Sequence, residues 1–161
     1  MLTPTQYTAL HNDILADPIL AAAPAGPDGA VQIASAYNLN ASPAFTVWKT
    51  NVPLVQVGDA FNATEIAGMT ALNLDRLSTM AIYAPNGINP SLADRRAFFD
   101  DIFSGAGGQL TRPKLLALWK RLALRGEKLF ATGTGTDAVP ATLVVEGALS
   151  PTDVQIAREN Y

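Results

Sequence analysis

The chain has 161 residues, a mass of 17.0 kDa, a net charge of −3 and no cysteine. The absence of cysteine excludes disulfide bonds, thiolate zinc sites and cysteine nucleophiles, and the acidic balance argues against a surface built throughout to hold nucleic acid. Apolar residues make up 48% of the chain and charged residues only 16%, which is little charge for a monomer of this size. No apolar run approaches the roughly 20 residues that a membrane-spanning helix needs. We therefore predict a single helical domain over residues 1–161 that covers part of its surface with partners.

Helical signals dominate the first 40 residues. Thr3 is a typical N-cap before Pro4, and apolar residues then recur at helical spacing until Asp17-Pro18. The first helix should end there, because a residue that precedes proline disfavours the helical conformation. A second helix with an apolar face is predicted over about residues 28–38.

The sequence changes character at residue 40, where β-branched and aromatic residues mix with prolines. Strand and loop compete in this region, and Pro53 excludes a central strand through its position. We predict an extended arm over residues 40–58. Its apolar side chains, Phe45, Val47 and Trp48, are candidates for contacts with partners.

Three helices are predicted in the middle of the chain. Asn62 or Thr64 caps a short one, residues 70–84 form one of the clearest helices of the sequence, and Ser91 caps a third that ends before the glycine-rich loop 104–109. A long helix should follow from about residue 111 to Phe130.

The last part of the chain is predicted to be mostly extended. Residues 131–147 form an extended segment, and the pattern at 140–147 indicates a short strand within it. Ser150 and Pro151 then start a short C-terminal helix. The predicted fold is mainly α: a compact bundle of about five to six helices with an extended arm and one or two short strands.

Basic residues concentrate between residues 112 and 128, where six of the chain's eleven lysines and arginines meet a single acid. On one long helix, Lys114, Arg121, Arg125 and Lys128 would share a face opposite an apolar stripe. This face suits an acidic protein partner, phosphates, the acidic rest of the same chain, or plain solvent. A DNA-binding regulatory protein that uses helix 112–128 is therefore the alternative function.

Catalytic groupings are weak in this sequence. His11 is the only histidine, so a hydrolase would have to depend on it, and a common His-rich metal site cannot form. Asp94, Asp100 and Asp101 lie on one predicted helix, where a solvated face explains them better than a magnesium site. We expect a protein that is not an enzyme, with no catalytic, cofactor-binding or metal site.

The Gly-Thr loop after residue 130 does not match a phosphate cradle. Such cradles precede a helix N-terminus, whereas this loop follows a helix end, where Gly133 suits a left-handed C-terminal cap. The loop 104–109 does precede a helix and a basic residue, but a connector between helices explains it better than an anion site.

Four blocks of the sequence carry a family resemblance. The N-terminal L-x3-I-x-A-D-P-x-L motif, "SPAFTVWKTNV", "KRLALRGEKLFATGTGT" and "PATLVVEGALSPTDVQIAR" resemble a family of small proteins encoded in structural gene modules of tailed bacteriophages. The resemblance covers nearly the whole chain and is most specific in "RGEKLFATGTGT" and "PATLVVEG", while residues 54–110 look variable. It supplies no catalytic residues.

The resemblance implies a virion component that is made in the host bacterial cytoplasm and assembled with other virion proteins. A head-tail adaptor, a tail or baseplate accessory protein and a capsid-associated subunit all fit it, and we favour the head-tail connector or the tail and baseplate region. The subunit would belong to a ring or another symmetric homo-oligomer, with possible contact to packaged DNA and no membrane. Besides the arm and the basic face, Thr134, Leu143 and Val145 of the extended segment are predicted contact residues.

Overall fold

The computed structural model describes all 161 residues, and 57% of them are helical. The mainly α class predicted from the sequence is confirmed, with ten helices and a small antiparallel sheet of two strands. In chain order the elements are α1 (Pro4–Ala16), α2 (Pro18–Ala21), α3 (Pro27–Tyr37), β1 (Thr46–Trp48), α4 (Leu54–Ala60), α5 (Ala63–Ala67), α6 (Ala71–Tyr83), α7 (Ala93–Ile102), a short 3-10 helix (Gly105–Gly108), α8 (Thr111–Trp119), β2 (Lys120–Leu122), α9 (Arg125–Phe130) and α10 (Pro151–Asn160). None of these helices is both long enough and apolar enough to cross a membrane.

The chain divides into two compact units, whereas the sequence predicts one domain. The first unit contains Met1–Val47 and Leu122–Tyr161, and the second contains Trp48–Arg121. The boundaries between the units fall at the two short strands, each of which contributes residues to both units.

The first unit is built on α1, α3 and α10, whose apolar faces form its core. Leu10, Ile33, Tyr37 and Val154 are almost completely buried there. Local signals set the helix starts: Thr3 and Gln6 form a capping box at α1, and Ser150 and Asp153 form one at α10. Because these signals lie within four residues of each helix start, the sequence predicts them correctly.

The second unit packs aromatic side chains at its centre. Phe99 lies edge-on to Trp119 with ring centres 5.4 Å apart, and Phe61 packs against Phe103 at 5.2 Å. Trp48 belongs to the same apolar cluster, and the Arg96 guanidinium lies 4.3 Å from the centre of its ring.

Helix α8 takes its N-terminal cap from a distant residue. Leu110 occupies the N-cap position and its side chain makes no cap hydrogen bond. Instead, the Glu65 carboxylate on α5 accepts hydrogen bonds from the backbone N–H groups of Leu110, at 2.8 Å, and Thr111, at 2.9 Å. This contact satisfies helix-end donors and places a negative charge at the positive end of the helix.

The predicted arm over residues 40–58 is wrong in its second half. Residues 46–48 form β1, and a helix, α4, begins at Leu54 directly after Pro53. Pro53 therefore precedes a helix N-terminus, a position that proline tolerates because it lacks the N–H that a helix interior requires. Val47 and Trp48 do not project outward as predicted: Val47 is 0% exposed and Trp48 is buried, each within a core of its own chain.

The single helix predicted from residue 111 to Phe130 is also wrong. Helix α8 ends at Trp119, three residues form β2, and α9 starts at Arg125. Two long-range backbone hydrogen bonds stabilise the non-helical stretch between α8 and α9: Lys49 N–H donates to Trp119 O, and Ala123 N–H donates to Phe45 O, both at 2.8 Å. Helical periodicity in the sequence does not report such partners, so it extends the helix through the break.

The predicted strand at 140–147 is absent, because residues 131–147 contain neither a named strand nor a helix. The Ala141 N–H donates to Thr46 O at 2.9 Å, and Thr132 and Thr142 exchange two backbone hydrogen bonds of 2.9 Å. These isolated bridges fix the segment in place without forming a ladder, because only single residues pair.

Candidate interaction surfaces

The basic residues of segment 112–128 do not form one face in the structure. Helix α8 ends before Arg121, and Arg125 begins a separate helix. Lys114 is exposed on α8, whereas Arg112 donates a hydrogen bond of 3.3 Å to Gly105 O. The recognition helix that a DNA-binding function would use is therefore interrupted.

Arg125 is the centre of a charged cluster in the first unit. Its Nη2 lies 3.2 Å from the Asp13 carboxylate and its Nη1 lies 2.9 Å from the Asp17 carboxylate. The guanidinium carbon also lies 4.8 Å from the centre of the Tyr37 ring, and the Tyr37 hydroxyl donates to Asp13. One cation is thus shared by two carboxylates and an aromatic face.

The electrostatics of this cluster follow from these contacts. The hydrogen bond from Arg125, aided by the backbone N–H groups of Ile19 and Leu20, lowers the pKa of Asp17. Burial and the hydrogen bond to Asp13 raise the pKa of the Tyr37 hydroxyl. The cluster borders a surface pocket of about 760 Å³, but Arg125 is already neutralised by two acids and is a poor anion site.

Lys128 and Phe45, both predicted contact residues, meet each other within the first unit. The Lys128 ammonium lies 5.6 Å from the centre of the Phe45 ring. The backbone of Gly135 also lies against this ring, and it has a positive φ of 67°. The glycine-threonine loop therefore packs against an aromatic ring. Gly133 has a φ of 123°, but α9 ends at Phe130 and its C-cap residue is Ala131, in an extended conformation, so Gly133 is not the C-terminal cap.

Glu127 is a buried carboxylate that the sequence reasoning did not single out. It is 1% exposed and accepts hydrogen bonds from Leu124 N–H, at 2.9 Å, and Gly147 N–H, at 2.8 Å. The first contact starts α9, and the second ties α9 to the extended segment 131–147. The available signal was the position of an acid three residues after the N-cap, which is the spacing of a capping box.

His11 and Asp101 of α7 have structural partners. The His11 Nδ1 lies 2.9 Å from Ala157 O, which connects α1 to α10 when that nitrogen carries the proton. Asp101 pairs with Arg76 at 2.7 Å. No group of three or more histidine and acidic side chains is arranged to hold a metal ion.

The contact residues predicted in segment 131–147 differ in exposure. Thr134 is exposed, and its hydroxyl donates to Val139 O at 3.0 Å. Leu143 and Val145 are partly buried and pack against apolar clusters of the first unit, whereas Val144 between them is exposed. The large apolar side chains that this segment exposes are therefore Val139 and Val144, not the predicted Leu143 and Val145.

The largest departure from expectation is the surface of α6 in the second unit. This helix is strongly apolar in sequence, yet Met80 is its only buried residue. Leu72 is 68% exposed, Ile82 is 73% exposed and Tyr83 is 82% exposed. The sequence identifies the helix but gives no sign that its apolar residues face outward.

A groove of about 650 Å³ lies beside these residues. The side chains that line it come from α6 and α7 and comprise Asp75, Arg76, Thr79, Met80, Tyr83, Arg95 and Phe98. Arg76 is paired with Asp101 and lies 5.3 Å from the centre of the Phe98 ring. The Arg95 guanidinium contacts only the Met80 sulfur, at 3.9 Å, and the Asp75 carboxylate has no partner. The groove thus combines an apolar floor with one unpaired cation and one unpaired anion.

Comparisons of the chain with family models, with curated proteins and with solved structures find no match.

Proposed function

We propose that the chain is a non-enzymatic structural component of a tailed-phage virion, in the head-tail connector or the tail and baseplate region. It acts through protein-protein contacts in a symmetric assembly. The exposed apolar surface of α6 is the observation that carries this proposal, and the resemblance of four sequence blocks to phage structural-module proteins supplies the setting.

The energetics of α6 support a role in binding. Scattered apolar side chains are normal on protein surfaces, but Leu72, Ile82 and Tyr83 extend along one short helix beside a groove that Met80 and Phe98 help to line. Complete burial of a side chain of this kind contributes about 1.5–3 kcal/mol. A partner that covers the helix therefore gains substantial stabilisation, as a subunit of an assembly requires.

The pairing of arginines with acids of the same chain agrees with a role in an assembly. Arg125 is neutralised within the first unit, and Arg76 is neutralised within the second. The low fraction of charged residues also fits a protein that is partly covered by others. No observation in the structure favours DNA binding by residues 112–128 as a second function.

Quantitative mass spectrometry of purified particles of the encoding phage tests the proposal. We expect peptides of this chain at constant stoichiometry to the major tail and connector proteins through successive density gradients. A non-structural protein of the same phage, present in the lysate and lost on purification, is the control. Loss of this chain together with that control would contradict the proposal.

A further inference from the structure

We infer that α6 binds α6 of a second copy of the same chain, antiparallel and about a twofold axis that crosses the exposed side of the helix at the level of Leu77. The inference rests on the proposed assembly role and names the partner of the exposed helix. It depends on three properties of the surface: the spacing of its exposed residues, their symmetry about the helix centre, and the unpaired charges of the adjacent groove.

The exposed residues of α6 have the spacing of a helix-pairing seam. Leu72, Asp75, Thr79 and Ile82 follow each other at i, i+3, i+7 and i+10, and all four are exposed. This alternation of three and four residues keeps side chains on one stripe of a helix, where they can interlock with a second helix. Tyr83 flanks the stripe at its C-terminal end.

The seam is symmetric about the middle of the helix. In an antiparallel pair centred on Leu77, Leu72 of each copy faces Ile82 of the other, and Asp75 faces Thr79. The outer pairs are apolar, and the inner pairs join a carboxylate acceptor to a hydroxyl donor. A twofold interface requires residue i to contact residue j while j contacts i, and this sequence meets that condition at all four positions.

The groove charges favour a second copy over a partner of one charge sign. Arg95 and Asp75 line the same groove, and neither has a charged partner. An acidic partner would neutralise only Arg95, and a basic partner only Asp75. A second copy brings both charges, so its Asp75 can pair with Arg95 of the first copy and its Arg95 with Asp75 of the first copy.

Sedimentation equilibrium of the purified full chain, from about 1 µM to about 1 mM, tests the pairing because that range covers the affinities of short interfaces. We expect a reversible monomer-dimer equilibrium. Ile82→Glu should raise the dissociation constant of the dimer by at least about tenfold. The substitution places a carboxylate against Leu72 of the other copy and near that copy's Asp75. The matched control is Val55→Glu, which changes an equally exposed apolar residue of α4 and should leave the equilibrium unchanged.

A charge exchange makes the test specific for self-pairing. Asp75→Arg and Arg95→Glu should each weaken the dimer severalfold, and the double variant should restore it to within about threefold of the original chain. Far-UV circular dichroism of each variant verifies folding, since these side chains are not buried. A chain that stays monomeric throughout, or a dimer that is insensitive to Ile82→Glu, would overturn the inference. A monomeric chain that is nevertheless present in virions refutes the self-pairing alone, whereas a dimeric chain that is absent from virions refutes the virion role alone.

Discussion

Glu65 shows how a single side chain can replace a missing local signal. Helix α8 starts without a capping side chain of its own, and Glu65 supplies the acceptors from a residue 45 positions earlier in the chain. Hydrogen bonds from the Thr111 side chain and from the Leu110 and Thr111 N–H groups lower the pKa of Glu65. Asp17 and Glu127 have comparable roles in the first unit, where carboxylates accept hydrogen bonds from backbone N–H groups at helix starts. Several acidic side chains of this chain are thus helix-end acceptors.

We predict an acid-dependent loss of stability through Glu65. Its pKa is lower in the folded state than in the unfolded chain, so the stabilisation is present above the unfolded value of about 4.3 and is lost as pH falls through the folded pKa. The Glu65→Gln variant should melt at a lower temperature at pH 7 and show a smaller further decrease between about pH 5 and pH 3. Thermal unfolding followed by circular dichroism measures both effects. The exposed Asp59→Asn variant is the control, and parallel pH profiles for Glu65→Gln and the original chain would contradict this role.

The ion pairs of Arg125 with Asp13 and Asp17 are expected to stabilise the folded chain. Arg125→Met should decrease the free energy of unfolding by about 1–2 kcal/mol, because Asp13 and Asp17 lose their shared cation in a partly buried setting. Urea denaturation measures the change. Lys114→Met removes an exposed cation from α8 and should change stability by less than about 0.5 kcal/mol. Equal effects of the two substitutions would show that the cluster contributes nothing specific.

At the scale of elements, the sequence predicts what is locally determined. Thr3 with Pro4 and Ser150 with Pro151 mark helix starts through contacts within four residues, and both starts are correct. The break between α8 and α9 depends on backbone partners at Phe45 and Lys49, which lie 70 or more residues earlier in the chain. Helical propensity and periodicity contain no information about those partners. The predicted basic face failed for the same reason, since it required one continuous helix.

Gly135 of the glycine-threonine loop is expected to contribute to the stability of the first unit. Gly135→Ala should destabilise the first unit by more than about 1 kcal/mol, because φ is positive and an added Cβ would overlap the Phe45 ring. Gly107→Ala is the control, since a Cβ there meets no atom and φ is not positive. Adding Phe45→Leu to Gly135→Ala should recover part of the loss in thermal unfolding. If the two alanine variants melted together, the packing of Gly135 against Phe45 would not matter to stability.

At the scale of the whole molecule, composition and structure lead to the same proposal by different routes. The low charge of the chain predicts a surface partly covered by partners, but it does not say where that surface lies. Periodicity predicted a helix over residues 70–84, and the apolar side of such a helix is normally covered by its own chain. Periodicity alone cannot distinguish a helix face that packs against its own chain from one that binds another subunit. The exposure of Leu72 and Tyr83 is therefore known from the structure and not from the sequence. The arm residues Val47 and Trp48 failed as predicted contacts for the complementary reason, because their own chain covers them.

A symmetric reconstruction of intact particles tests the central claim most directly. If the chain is a structural subunit, its two units should each fit density in a ring of the connector or tail, with α6 covered by a neighbouring chain. Particles whose rings are fully accounted for by other proteins, or a fitted subunit whose α6 remains exposed to solvent, would contradict the account.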